Sequence, residues 1–512
     1  MPQPWFQFKF LLPPMNANDH PFFIGWAARS APLLLCLVGL TLLSCWASAS
    51  QPIFIVFFTD DQGWADLGVQ GIEEDVKTPN IDQMAREGVR FTNGYVTAPQ
   101  CTPSRAGLLS GQYQQRFGLD DNSYSPLTLE AMLLPQRLQR IGYKTGLAGK
   151  WHLEINWLSD EWLRAHHPQL EPVEGVESRI PFDQLIDYFP DRRGFTDVFF
   201  GYEGPRYWAN YDLEGNSLEE AKYIQQEGYR IDVVSDAALT FIDRHHDEPF
   251  FLYVPYYAPH VPMEATQKYL DRFSGEMPER RRYCLAMLSA MDDGVGRVLD
   301  RLEKYGIDEN TMVIFLSDNG APLKMYKEDL PISYKLGAWD GSSNGPLKGE
   351  KGMLTEGGIR VPFVVRWKTR IPAGQVLDDP VTALDISPTI MALTEKGVPG
   401  NADGMDLMPL MTKELHQLPE RPLFWKFWTQ RAVRKGEWKY LEVGQETEFL
   451  FNLESDIGEN NNLIESHPEV AELLKAELEE WSSMLMYPNR GNGSPDPQEL
   501  GWYKFYFGTK PK

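Results

Sequence analysis

The chain has 512 residues, 42% of them apolar, and a formal net charge of −23. That length holds about two to four typical domains, or one large α/β domain with a smaller companion. So acidic a chain excludes nucleic acid as a partner, and an anionic substrate needs a local basic pocket because the global field repels it.

Residues 1–49 read as an export signal. Arg29 precedes an apolar run from Ala31 to Leu43 that is too short for a comfortable membrane span. Ala47-Ser48-Ala49 then supplies a small-residue cleavage site. The leader before Arg29 is long, so Met15 is a candidate start. Leu42-Leu43-Ser44-Cys45 resembles a bacterial lipoprotein cleavage box, which would put a lipid anchor on Cys45; the other reading is cleavage after Ala49 and release. Both readings export the protein, to a periplasmic, extracellular or outer-membrane-anchored location. No later segment is apolar enough to span a bilayer. Cleavage removes Cys36 and Cys45 and leaves Cys101 and Cys284, which an oxidising compartment could join.

The run Ile53–Phe58 is apolar at every position and ends in Thr59-Asp60-Asp61. Such a run suits a strand buried on both faces of a parallel sheet. Thr78, Pro79 and Gly88 punctuate a helix over 78–88. Gln100-Cys101-Thr102-Pro103-Ser104-Arg105 is polar, and its cysteine is open to four readings: disulfide half, metal ligand, thiol nucleophile or precursor of another group. A short strand in Gly142–Gly149 delivers Lys150 and His152 into a loop. Loops over 153–230 and 321–347 carry Trp157, Trp162, Arg192, Arg193, Tyr202, Arg206, Tyr207, Trp208 and Trp339, which suit either a ligand surface or ordinary packing. Phe250–Val254 is a buried strand ending near His260, and Leu285, Leu288, Val295, Val298, Leu299 and Leu302 recur at helical spacing. Met312–Leu316 is a second fully apolar run, followed by Ser317-Asp318-Asn319-Gly320. Lys348 and Lys351 lie in a glycine-rich loop that runs to Glu356-Gly357-Gly358, before a strand over Val361–Val365. Ser387-Pro388 opens another helix.

Strands alternating with helices over 50–418 predict one large α/β domain. Residues 419–512 predict a small α+β appendage. Arg431–Arg434, Trp438–Leu441 and Glu448–Leu453 read as short antiparallel strands, and 467–485 as one amphipathic helix. The tail Gly501–Phe507 is strongly aromatic and suits packing or a sugar platform.

The acidic and amide pairs at two buried strand ends supply oxygen ligands for a hard cation, Ca²⁺ or less favourably Mg²⁺. Arg105, Lys150, His152, His260 and Lys351 add cations and imidazoles. Together with a metal they suit a tetrahedral oxyanion, sulfate or phosphate.

Cys101-Thr102-Pro103-Ser104-Arg105, with Leu108, Leu109 and Gly111 at fixed offsets, resembles the first signature of type I sulfatases. Gly142–His152 resembles their second, and the order of the remaining motifs to about residue 463 is similar. The resemblance implies an alkaline-phosphatase-like fold: a large, mostly parallel mixed sheet flanked by helices, with the small C-terminal subdomain. It implies that a formylglycine-generating maturation enzyme oxidises Cys101 to Cα-formylglycine, reading Pro103 and Arg105. The hydrated aldehyde then attacks sulfur, forms a covalent sulfate ester and expels sulfate by hemiacetal collapse. A Cys101–Cys284 disulfide would remove that group. The resemblance further implies Asp60, Asp61, Asp318 and Asn319 as Ca²⁺ ligands with residue 101, and Asp318 as a taker of the attacking hydroxyl's proton. Arg105 steadies the formylglycine hydroxyls, and Lys150 and Lys351 clamp sulfate, Lys351 fitting the spacing better than Lys348. His152 becomes the base for collapse, and His260, with Lys351, the acid for the leaving sugar oxygen. The wording after the first signature is similar to bacterial enzymes acting on sulfated polysaccharides, marine galactans such as carrageenan ahead of glycosaminoglycans or ulvan. The alternatives are a phosphodiester or phosphonate monoester hydrolase of the same superfamily and a non-catalytic protein that binds sulfated glycans. The oligomeric state is not legible.

Overall fold

The computed structural model describes residues 51–122, 125–155, 162, 164, 181–202, 204–334, 338–394, 396–444, 447–486 and 496–508. The export signal, with Cys36 and Cys45, and Trp157 lie outside them. Among the described residues, no helix is long and apolar enough to cross a membrane.

Ile53–Asp60 is a strand buried at all eight positions. Its side chains alternate between two cores: Phe54, Val56 and Phe58 enter one, and Ile53, Ile55 and Phe57 the other. A strand clothed on both faces cannot spare a polar residue until its end, which is why the run is uniformly apolar. The strand is central in a ten-stranded sheet. In spatial order its strands are Gln375–Leu377, Val89–Phe91, Phe363–Arg366, Thr311–Ser317, Ile53–Asp60, Phe250–Pro259, Lys144–Gly149, Asp197–Phe200, Arg206–Tyr211 and Ser217–Gln225. The five from Thr311–Ser317 to Asp197–Phe200 run parallel. Antiparallel pairings begin where Phe363–Arg366 joins one side and Arg206–Tyr211 the other.

The long helix Glu279–Lys304 lays Leu285, Leu288, Val295, Val298 and Leu302 into the second core. The helix Pro79–Glu87 has proline at its start, as its sequence predicts, but Thr78 makes no side-chain cap. Asp292 of the long helix does that work, accepting from the N–H groups of Asn80 and Ile81 at 3.1 and 2.9 Å.

The C-terminal sheet has four antiparallel strands, Leu423–Phe427, Gln430–Lys435, Trp438–Val443 and Thr447–Asn452. The first of these was not among the three expected. Helix Pro468–Ser483 packs on this sheet through Leu474, Leu478 and Trp481. The aromatic tail is a further helix, Pro497–Phe507, opened by a capping box between Asp496 and Glu499.

Candidate active site

Parallel pairing sets the acidic pairs side by side. Thr59 lies opposite Ser317, so Asp60-Asp61 and Asp318-Asn319 leave the sheet at the same edge. On the other flank Asp60 lies opposite Pro259, which brings His260 to that edge. Lys144–Gly149 is next in line and ends immediately before Lys150. Four neighbouring parallel strands thus empty their carboxyl ends into one place, where ligands of open α/β sheets gather. Gly149 adopts φ +132°, and any Cβ there would collide with the Pro255 carbonyl. Its absence lets Lys150 N–H donate to that carbonyl at 2.8 Å, which aims the lysine.

Cys101 is the first residue of helix Cys101–Ser110 and is fully buried. Its thiol donates to Asp60 Oδ1 at 3.4 Å and receives Lys351 Nζ at 3.3 Å. Arg105 follows one turn later on the same face. Its Nη2 donates to Asp318 Oδ2 at 2.6 Å and lies 3.6 Å from Asp60 Oδ1. Lys150 Nζ donates to Asp60 Oδ2, and Lys351 Nζ to Asp61 Oδ1, each at 2.6 Å. His260 Nε2 is 3.6 Å from Asp61 Oδ2. Lys348 is elsewhere: its ammonium donates to the Glu459 carbonyl at 2.9 Å and sits over the Phe507 ring.

The donor atoms of Asp60, Asp61, Cys101 and His260 lie within 4.8 Å of one another, close enough to share one ion. Asn319 donates its amide N–H to Asp61 Oδ1 at 2.7 Å, while its Oδ1 is buried without a partner. An orphaned amide oxygen beside two carboxylates fits a hard cation. Asp318 stands a step back, its carboxylate engaged by Arg105 and by the Asp61 N–H at 3.1 Å.

Burial pushes the carboxyl of Asp60 up, yet Lys150, His260, Arg105 and Lys351 together hold it well below the usual range. Asp61 is held down similarly, by Lys351 and His260 against burial. Asp318 goes the other way, raised to about 7 by burial and by the charge on Asp60. Burial pushes the Cys101 thiol far up, with Asp318 adding to the effect, so the sulfur stays protonated. Burial and Lys150 push His152 well below its ordinary value, and burial lowers His260 against the pull of Asp60 and Asp61. His152 is therefore a neutral ring able to take a proton, whereas Asp60 and Asp61 favour the protonated form of His260 that a proton donor needs.

Among the described residues Cys101 and Cys284 are both unpaired, Cys284 lying against Ser342 Oγ at 3.6 Å. Of the loop residues suited to a sugar, Arg193, Tyr207, Trp208 and Trp339 are buried. Arg193 is used up on the carbonyls of Leu127, Thr128 and Ala131. Trp208 is packed among Phe182, Phe189 and Tyr223. Glu154, close to His152 in the chain, belongs to none of the motifs above. A lone acid between Leu153 and Ile155, two residues past His152, was the available signal.

The family model "Sulfatase" matches residues 52–396. The chain belongs to the sulfatase family. A second model, "N-sulphoglucosamine sulphohydrolase, C-terminal", matches residues 349–484 of this sulfatase. N-acetylgalactosamine-6-sulfatase of Mus musculus is 34% identical over 433 residues, covering 80% of the chain and 75% of that protein. Among solved structures, "Ps i-CgsB in complex with k-i-k-neocarrahexaose" is 27% identical with a TM-score of 0.69, covering 89% of this chain and 97% of that one. The phosphonate monoester hydrolase of Agrobacterium radiobacter, 19% identical with a TM-score of 0.57, covers 87% of this chain and 100% of its own, and shares the fold. The sulfatase is therefore a sulfuric ester hydrolase with an alkaline-phosphatase-like fold.

Proposed function

We propose that this sulfatase is exported and removes O-sulfate from a sulfated galactan such as carrageenan, after Cys101 has been oxidised to Cα-formylglycine by a maturation enzyme. The observation that carries the mechanism is the setting of Cys101. Its side chain meets Asp60 and Lys351 at the head of a helix, and burial denies it the thiolate form it would need as a nucleophile. As formylglycine, residue 101 supplies a hydrated aldehyde, one hydroxyl to attack and a second to drive release. Asp60, Asp61, Asp318, Asn319 and residue 101 would hold Ca²⁺, or Mg²⁺ with less preference, which supplies positive charge to the sulfate oxygens.

The remaining roles fall to the chain's own groups. Lys150 reaches Asp60 and Lys351 reaches Asp61, the two neighbouring carboxylates, so their ammonium groups flank the place where the sulfate sits. Arg105 is locked by Asp318 and fixes the charge behind residue 101. His152, kept neutral by burial and Lys150, takes the proton of the second hydroxyl. His260, backed by Asp61, gives a proton to the leaving sugar oxygen, with Lys351 beside it. The galactan reading is supported by the similarity to a protein solved with neocarrahexaose.

The test is sulfate release from defined sulfated oligosaccharides by matured protein. Carrageenan oligosaccharides should lose sulfate, Cys101→Ala should abolish the release, and peptide mass spectrometry should find formylglycine at 101. Intact turnover by Cys101→Ala would sink the mechanism. An unmodified thiol in active-host protein that still binds sulfated glycan would favour a binding protein.

A further inference from the structure

Beside His152 lies a group of polar atoms that the chemistry above leaves unused. Glu154 is only 7% exposed. Its Oε1 accepts the Tyr202 hydroxyl, and its Oε2 is buried with no partner. The Tyr202 ring meets His152 edge-on at 5.7 Å and Tyr257 edge-on at 6.4 Å. Tyr257 and Tyr207 are both buried, and neither hydroxyl has a partner. Arg230 stacks over the Tyr257 ring at 5.4 Å but commits its guanidinium to the Pro262 carbonyl and to Glu264. Three buried polar atoms are thus left without a partner along a chain of side chains that starts at the His152 ring, and leaving each unmade costs about 1–3 kcal/mol.

Their chemistry defines the missing partner. A spare carboxylate oxygen repels an anion, so the group is not a second sulfate site. Two phenol hydroxyls can donate or accept, which suits a neutral, multiply hydroxylated ligand. The site adjoins His152, which works on residue 101, so the ligand is the part of the substrate next to the ester. We propose that Glu154, with Tyr207 and Tyr257, reads a free hydroxyl on the sugar that carries the departing sulfate, and so selects the substrate. This rests on the carbohydrate reading above.

Glu154→Gln is the informative variant. Its amide oxygen can still accept the Tyr202 hydroxyl and leave His152 in place, while the spare oxygen becomes an N–H donor facing the sugar. Matured wild type and variant are compared on a carrageenan oligosaccharide and on 4-nitrophenyl sulfate, which has no sugar hydroxyl. We expect kcat/KM on the saccharide to fall about 10–100-fold more than on the aryl sulfate. Tyr257→Phe, which only removes a hydroxyl from a buried ring, should lower the same ratio about tenfold. Equal losses on both substrates would overturn the inference and leave Glu154 a prop for His152. A wild type that turns over the aryl sulfate but leaves every sulfated saccharide intact would overturn the carbohydrate reading, and this inference with it.

Discussion

Lys348 and Lys351 stand three residues apart in one loop and face different neighbours. Lys351 touches Asp61 and Cys101; Lys348 touches the Glu459 carbonyl and the Phe507 ring. We expect Lys351→Ala to lower kcat/KM about 10²–10³-fold, the usual cost of losing one preorganised charge from a reacting centre. Lys348→Ala should keep kcat within a factor of about two and cost about 1 kcal/mol of stability, the worth of one hydrogen bond. Steady-state kinetics and urea titration of both variants check this, and a large kcat loss in Lys348→Ala would reverse the assignment. Asp60, Cys101, Lys150, His260 and Lys351 each sit in a motif of fixed order, so the sequence marks them as candidates, and the fold brings them together. Glu154 had no motif or period around it. Its meaning comes from Tyr202, Tyr207 and Tyr257, which only the folded chain brings near.

At the scale of elements, the tail helix Pro497–Phe507 is a brace for the loop that carries Lys351. Gly352 adopts φ +95°, and a Cβ on it would collide with Trp502. Tyr503 donates to Gln430 Oε1 at 2.6 Å, and Gln430 in turn holds Gly352 O and Leu354 N at 2.9 Å each. Tyr506 donates to Glu350 Oε1 at 3.2 Å. The aromatic tail was open to packing or to a sugar platform, and Trp502 and Tyr503 are buried. We expect Trp502→Ala to cost about 3–5 kcal/mol of stability. It should also lower kcat about tenfold at temperatures where the variant is still folded, because Lys351 loses its support. Lost stability with unchanged kcat would make the helix a cover only. The buried strands were readable from their uniform apolarity. Strand Leu423–Phe427 was not, since Lys426 interrupts its apolar run, and only the fold buries Lys426 against Asp120, 3.3 Å away. The burial of Arg193 and Trp208 was equally invisible, because composition does not say whether an aromatic or arginine faces a ligand or a neighbour.

At the scale of the whole molecule, two ion-pair systems tie separate elements together. His245 closes helix Arg230–His245 against the sheet, its Nε2 3.2 Å from Asp197 and its Nδ1 3.0 Å from Glu248. Burial opposes its charge, but the Asp197 contact wins over burial and Arg244 and raises it above its ordinary 6.5. Asp197 is held below its ordinary 3.8, by His245 and Arg244 against burial. A raised histidine stabilises fully below pH 6.5 and loses that contribution as pH climbs through its folded value; a lowered carboxyl stabilises above 3.8 and loses it on acidification. The stability gap between wild type and His245→Gln, about 1 kcal/mol, should therefore be widest near pH 5 and close on both sides, which urea midpoints across pH will show. The second system joins the two sheets. Lys439, on the C-terminal sheet, is fully buried with its ammonium 2.8 Å from Glu356 and 3.0 Å from Glu459. Glu356 opens the short helix Glu356–Ile359 just beyond the Lys351 loop, and its other oxygen accepts the Tyr95 hydroxyl at 2.6 Å. Removing the lysine leaves two carboxylates facing each other without water. We expect Lys439→Met to cost about 3–5 kcal/mol. If the ten-stranded and four-stranded sheets unfold as one unit, circular dichroism and tryptophan fluorescence will still give coincident single transitions in the variant. Two separated transitions would show instead that Lys439 is what makes the sheets cooperate, and that Lys351 can lose its setting while the main sheet stays folded.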